Sequence, residues 1–162
     1  MSIDVGVKKD GYCGDVAMTV GVGNISRKAE KLLRVGKFAL RAALRQARSE
    51  NHLGNISFAI QKEAEKNGYS VVRDLYGHGI GSDLHEDPLI PNFGNAGEGV
   101  RLKPGMTLAI EPMINLGGSR VRTMPDGWTV VTEDGSLSCH FEHTVLVTEG
   151  EPEILTWLKK KT

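Results

Sequence analysis

Cysteine is scarce in this sequence: Cys13 and Cys139 are the only two among 162 residues. That number excludes a scaffold held together by disulfides and makes a reducing compartment the default. Net charge is missing as well, with 20 Lys and Arg against 20 Asp and Glu. There is therefore no electrostatic ground for a nucleic acid or an anionic membrane as partner. No apolar run approaches the roughly 20 residues that a membrane span needs. The opening Met1-Ser2-Ile3-Asp4-Val5-Gly6 has neither a basic leader region nor an apolar one, so a cytoplasmic protein is expected. Internal repeats and low-complexity stretches are also lacking. What remains is an ordinary chain, 40% hydrophobic, able to bury one sizeable core as a single domain over residues 1–162.

The segment around which the chain is organised is Tyr76-Gly77-His78-Gly79-Ile80-Gly81, continuing to His85-Glu86-Asp87-Pro88. It follows a β-rich run, Tyr69-Ser70-Val71-Val72-Arg73. Glycine on both sides of His78 lets the backbone approach a neighbour closely or turn sharply. A strand ending in such a histidine presents its side chain. A lone histidine near a turn is more often structural than a ligand, and it is the carboxylates elsewhere that change this weighting.

The first of these lie in a hairpin. Ile3 to Val7 alternates with period two, Lys8-Lys9-Asp10-Gly11 signals a turn, and Tyr12 to Val20 resumes as a strand. A turn at Lys9-Asp10 pairs Asp4 with Asp15, whereas a turn at Asp10-Gly11 pairs Asp4 with Ala17. In both registers Asp4 and Asp15 leave the same face of the ribbon. Two such carboxylates repel unless a cation or a proton lies between them; the bland alternative is a solvated hairpin face.

Ser26 is an N-cap candidate for a helix running to about Arg48, with Leu32, Leu33, Phe38, Ala39, Leu40, Ala43 and Leu44 at helical spacing. A second helix is expected from about Ile56 to Lys66, ended by Asn67-Gly68. Both read as scaffold, joined by a polar connector over Ser49–Asn55. Pro91 to Gly99 reads as a glycine-rich surface loop. Met106 to Ile114 is an apolar strand interrupted by Glu111 and stopped by Pro112. A hairpin is expected around Pro125-Asp126-Gly127, and the last strand, Leu137 to Val147, carries His140 and Glu142. The tail from Trp157 to Thr162 is expected to fray. Strands before and after a helix pair, joined mostly by antiparallel hairpins, give an α+β class.

Glu111 and Glu142 are costly in largely buried strands unless paired or bound to metal. Four carboxylates and one imidazole in one pocket require cations. Oxygen-rich ligation with a single nitrogen suits a pair of divalent ions such as Mn, Fe, Co or Zn better than a structural zinc site. Such a pair can activate water at neutral pH, one carboxylate can take the proton, and a histidine can steady a developing oxyanion. The chemistry that follows is metal-assisted amide hydrolysis.

Asp4, Asp15, His78, Glu111 and Glu142 follow one another at gaps of 11, 63, 33 and 31 residues. Each sits in a local motif: Ile-Asp-Val-Gly at 3–6, Gly-Tyr-Cys-Gly-Asp at 11–15, Gly-His-Gly-Ile-Gly at 77–81, Ile-Glu-Pro-Met at 110–113 and Phe-Glu-His-Thr at 141–144. His-Glu-Asp-Pro at 85–88 and Asp-Gly-Trp-Thr at 126–129 complete the pattern. From Ser2 to Thr156 the chain resembles the type I methionine aminopeptidases. The resemblance implies a pita-bread fold, antiparallel strands flanked by helices. It implies that Asp4 holds the second of two divalent ions, that Asp15 and Glu142 bridge them, and that His78 and Glu111 hold the first. Glu111 would also accept a proton from water, and His85 would hydrogen-bond the substrate around the scissile amide. Leu84 and Trp128 match positions lining the methionine pocket. The implied reaction is removal of the initiator methionine from nascent polypeptides with a small second residue; association with the ribosome is a further expectation.

The sequence departs from the family pattern at three places. Family domains carry a further helical and strand segment before the position of Asp4, so residues 1–162 are expected to be an N-terminally truncated catalytic domain. That segment supplies another histidine and part of the methionine pocket. His140 stands where the bacterial pattern usually has glutamine, and Cys13 where histidine is frequent; both are expected to alter contacts around the ligands. Two other functions compete: a catalytically impaired pita-bread module that binds peptides or protein partners, and a proline-specific peptidase of the same fold. The retained ligands weigh against the first, Asp126-Gly127-Trp128-Thr129 against the second.

Overall fold

The structure is a computed structural model that describes residues 1–157; the expectation for the tail from Leu158 onward lies outside the described residues. The elements are β1 (Ser2–Lys9), β2 (Tyr12–Thr19), α1 (Arg27–Leu44), α2 (Leu53–Glu65), β3 (Ser70–Val71), β4 (Tyr76–Gly79), β5 (Glu86–Pro91) and β6 (Thr107–Ile110). They continue with β7 (Met113–Asn115), β8 (Val121–Thr123), β9 (Val130–Thr132), β10 (Ser138–His140), β11 (His143–Leu146) and β12 (Glu153–Ile154). The α+β expectation holds, and every strand pairing is antiparallel among the described residues.

Of the two hairpin registers, the chain adopts the one with its turn at Asp10-Gly11, pairing Asp4 with Ala17 and Gly6 with Asp15. Both turn residues take positive φ, 51° and 88°, as a two-residue hairpin that follows the strand twist requires.

Helix α1 starts where Ser26 predicts: its side chain accepts a hydrogen bond from the Ala29 N–H at 3.2 Å. The buried stripe is Leu32, Val35, Gly36, Ala39, Leu40, Ala43 and Leu44. Phe38 falls on the opposite face and is exposed. The helix stops at Leu44, short of Arg48. Helix α2 begins at Leu53, inside the expected connector. The N–H groups of Leu53 and Gly54 donate to the carbonyls of Val100 and Glu98 at 2.8 and 2.9 Å. Donors that a helix start ordinarily leaves unpaired are thus satisfied from another part of the chain. Pro91 to Gly99 is not wholly a surface loop either. Asn92 is buried, and its side-chain oxygen accepts from the Met113 N–H at 3.2 Å.

The two long strands are each broken in two. Met106–Ile114 becomes β6 and β7 with Glu111-Pro112 between them, and Leu137–Val147 becomes β10 and β11 with Phe141-Glu142 between them. β6 and β11 belong to a five-stranded sheet, order β12-β11-β6-β4-β5, and β7 and β10 to a three-stranded sheet, order β10-β7-β3. Ile110 pairs with His143 and Met113 with His140, so the two interruptions face each other where the chain changes sheet. Proline lacks the N–H that a continuous ladder would use at Pro112. Glu111 and Glu142 therefore sit in the breaks, not within strands as expected.

His78 differs from expectation in the same way. The run from Tyr69 yields only a short β3, and His78 lies in its own strand, β4, between β6 and β5. Glycine neighbours make this possible: a Cβ on Gly79 would collide with the Asp87 carbonyl, and one on Gly77 would lie 2.5 Å from the Ala109 carbonyl oxygen. Leu32, Ala39, Ile56 and Ile60 of the helices join Leu108, Ile110, Ile114 and Val145 of the sheets in one core. Among the described residues no helix is long and apolar enough to cross a membrane.

Candidate metal centre

The hairpin strand β2 docks along residues 140–144 at a constant step. The His140 N–H donates to Thr19 Oγ1 at 2.8 Å, the Glu142 N–H to the Ala17 carbonyl at 2.9 Å, and the Asp15 N–H to Thr144 Oγ1 at 2.8 Å. Moving two residues along β2 matches moving two back along 140–144, an antiparallel alignment. It brings Asp15, and through the hairpin Asp4, onto the break that contains Glu142. The hairpin's far end is fixed to the histidine segment: the Cys13 N–H donates to the Gly81 carbonyl at 2.7 Å and Lys8 Nζ to the Ser82 carbonyl at 2.7 Å.

His78, buried, fills the remaining side. Its Nδ1 lies 2.8 Å from the Gly79 carbonyl oxygen. A carbonyl only accepts, so Nδ1 carries the proton and Nε2 is left to face the carboxylates. Nε2 stands 3.7 Å from Glu111 Oε1 and 4.0 Å from Asp15 Oδ2. Such orientation of a histidine by a backbone carbonyl is the usual arrangement behind a metal ligand.

All five sequence-assigned ligands thus converge. Asp15, His78 and Glu142 form one group whose ligand atoms lie within 4.8 Å of one another, and Asp4, His140 and Glu142 form a second. Glu142 is only 2% exposed. Its burial, and then the carboxylates of Glu111, Asp15 and Asp4, push it up to about 9. Burial, followed by the Asp4 carboxylate, raises Asp15 as well. Mutually repelling carboxylates held together this closely fit a cation-binding cage, and their oxygens with the imidazole nitrogen suit divalent ions.

His85 follows at the edge of the cage, exposed, its ring centroid 4.5 Å from that of His78 in an edge-on arrangement. Leu84 leans on the ribbon: a Cβ on Gly6 would lie 3.1 Å from Leu84 Cδ1 and 3.7 Å from Asp15 Oδ1. Trp128 is in the turn after β8 and is 89% exposed, its N–H donating to Asp126 Oδ1 at 3.0 Å. The neighbouring His143 is not part of the cage; its Nδ1 contacts Thr156 Oγ1 at 2.8 Å.

Sequence reasoning set His140 beside the ligands, whereas its Nε2 is 3.1 Å from Glu111 Oε2 and its Nδ1 4.0 Å from Asp4 Oδ2. The signal was its place two residues before Glu142, since alternate residues of an extended chain share a face. Thr19 and Thr144, which align the hairpin, left no such signal.

Residues 1–149 match the family described as Metallopeptidase family M24. The chain is 54% identical to the methionine aminopeptidase of Clostridium perfringens, covering 98% of this chain and 64% of that protein. It is 53% identical to methionine aminopeptidase 1 of Bacillus subtilis, over 96% of this chain and 63% of the relative. The crystal structure of the Thermotoga maritima methionine aminopeptidase superposes with a TM-score of 0.95 at 48% identity, over 97% of this chain and 63% of that one. The chain thus spans slightly less than two thirds of the length of these relatives. With a cage of carboxylates and histidines at the seam of the three- and five-stranded sheets and this match over nearly all of its length, the chain belongs to metallopeptidase family M24 and has the pita-bread fold.

Proposed function

We propose that this chain is the catalytic portion of a dinuclear metallo-aminopeptidase that removes the initiator methionine from nascent polypeptides with a small second residue. The observation that carries the reading is the convergence of Asp4, Asp15, His78, Glu111 and Glu142 at one place, with Glu142 2% exposed. Two divalent ions, from Mn, Fe, Co or Zn, would be held by Asp4 on one side and by His78 and Glu111 on the other, with Asp15 and Glu142 shared. When bound, such ions act as Lewis acids and bring the pKa of water towards neutrality.

Glu111 is the proton acceptor in this reading. Its side chain remains 14% exposed, open enough to take a proton from the attacking water and return it to the leaving amine. His85, beside His78 but exposed, is able to donate a hydrogen bond to the scissile amide as charge develops on its oxygen. Leu84, leaning over Gly6 next to Asp15, supports an apolar subsite for the methionine side chain; for Trp128, exposed in the turn after β8, the same role rests on its match to the family pattern alone. Residues 1–162 act as one unit of the catalytic domain. Its substrates are N-terminal methionine peptides, met at the ribosome. A reducing cytoplasm suits its two free thiols, Cys13 and Cys139.

The test is methionine release from a Met-Gly or Met-Ala tripeptide with added Mn(II) or Co(II), with Glu111→Ala run alongside. Release that needs metal and vanishes in the variant supports the proposal. A folded chain that binds metal and releases no methionine favours the competing reading, a module that binds peptides without cleaving them.

A further inference from the structure

His140 is the one side chain in the cage to which the resemblance gives no ligand role. Its Nε2 is buried and 3.1 Å from Glu111 Oε2, yet the two do not align as a hydrogen bond and Nε2 has no other partner. Burying a polar atom without a partner is costly, so an unpaired buried nitrogen points to a missing partner. Two ligand atoms about 2.1 Å from one ion and at right angles to each other stand about 3 Å apart. The separation of His140 Nε2 from Glu111 Oε2 is that of neighbours on a shared cation. The backbone holds the ring in place: the His140 N–H donates to Thr19 Oγ1 at 2.8 Å, and that hydroxyl donates to the His140 carbonyl at 3.0 Å. Nδ1 faces the Asp4 carboxylate at 4.0 Å, beyond hydrogen-bond distance, so the far side of the ring lies towards an acceptor without being pinned by it.

We propose that His140 is itself a metal ligand, through Nε2, on the ion that Glu111 holds, so that two imidazoles, those of His78 and His140, flank the Glu111 carboxylate. This rests on the reading of the cage as dinuclear. It changes the donor set from one nitrogen to two, which shifts preference away from Mn and towards Fe, Co or Zn.

Coordinated histidines in a Co(II)-loaded protein each give one exchangeable imidazole N–H proton resonance, shifted far outside the ordinary range. The experiment records these on the fully loaded protein and on His140→Gln and His78→Gln, with Co(II) uptake followed by calorimetry. Two shifted resonances in the parent, one in each variant, support the proposal. A single resonance, lost in His78→Gln and kept in His140→Gln, overturns it while leaving the metal cage intact. No Co(II) uptake at all overturns both the inference and the cage on which it rests. The parent spectrum decides between one histidine and two even where a variant fails to fold.

Discussion

Asp4 and Asp15 leave the same face of the β1–β2 ribbon, two residue pairs apart, in opposite surroundings: the Asp4 side chain is 56% exposed and that of Asp15 10%. The difference follows from the ribbon, whose β1 strand pairs, among the described residues, with β2 alone while β2 also docks onto residues 140–144. Burial and the Asp4 carboxylate both oppose ionisation of Asp15 in the metal-free protein.

Asp15→Asn is therefore expected to raise the melting temperature of the metal-free protein while abolishing tight metal binding. The amide keeps an oxygen to accept from the Val16 N–H, a 3.0 Å contact in the parent, and removes the repelled charge. At this chain length about 1 kcal/mol corresponds to about 2–4 °C. Asp4→Asn, at an exposed site, is expected to leave the melting temperature within about 0.5 kcal/mol of the parent but to weaken uptake of one ion. Calorimetric metal titrations and melts in chelator measure both.

Glu142 gives the metal-free protein a defined pH dependence. Its folded value is pushed up from 4.5 to about 9, so folding favours the neutral carboxyl. The associated stability is complete below pH 4.5 and is lost as pH rises towards 9. Melts in chelator at pH 5 and pH 8.5 are expected to show this decline, and Glu142→Gln, which has nothing to ionise, should flatten it. An equal slope in both proteins would assign the effect elsewhere. Added Mn(II) should reverse the trend, because the ligand must be ionised to bind.

The convergence of these residues was legible because each is a chemically expensive residue in an apolar or glycine-rich run: Glu111 before Pro112, Glu142 after Phe141, His78 between glycines. The hairpin face was legible because strand side chains alternate with period two, which left only the choice between Asp15 and Ala17 opposite Asp4. What could not be read was the breaking of two strands at the very residues of interest. A run such as Thr107–Asn115 has the composition of one strand, and only its pairing with two different sheets ends β6 at Ile110 and starts β7 at Met113. The early start of α2 was hidden for a related reason, since its first N–H groups are satisfied by Glu98 and Val100, more than 40 residues away.

Two thiols in one chain should react very differently. Burial pushes the Cys139 thiol up to about 12, and it lies 1% exposed in the core, whereas Cys13 is partly exposed near the hairpin turn. Since the thiolate is the nucleophile, alkylation of the native protein is expected to label Cys13 alone, with Cys139 labelled only after unfolding. Peptide mapping after iodoacetamide treatment reads this directly; rapid labelling of Cys139 would mean that α1 does not stay packed over β10.

Gly79→Ala tests how tightly His78 is held. The added methyl would meet the backbone carbonyl of Asp87, which cannot move aside as a flexible side chain would. Separating β4 from β5 is expected to cost about 1–3 kcal/mol and to weaken metal binding through the displaced imidazole. Chemical denaturation gives the first and metal titration the second; a stable variant with normal metal affinity would show that the close approach of these strands is not needed.

Thr144 joins the hairpin to the rest of the site without being a ligand. Its hydroxyl accepts from the Asp15 N–H and donates to the Asp15 carbonyl, both at 2.8 Å, and the residue is 2% exposed. Thr144→Val keeps the shape and removes both bonds, stranding two buried backbone groups at a cost on the order of 2–3 kcal/mol. Thr144→Ser keeps the hydroxyl and should recover most of that loss. Because the same two bonds set the height of Asp15 over the cage, metal affinity is expected to fall in the valine variant and to return in the serine one. Loss of stability with unchanged metal affinity would mean that Asp15 is positioned by the β1–β2 ladder alone.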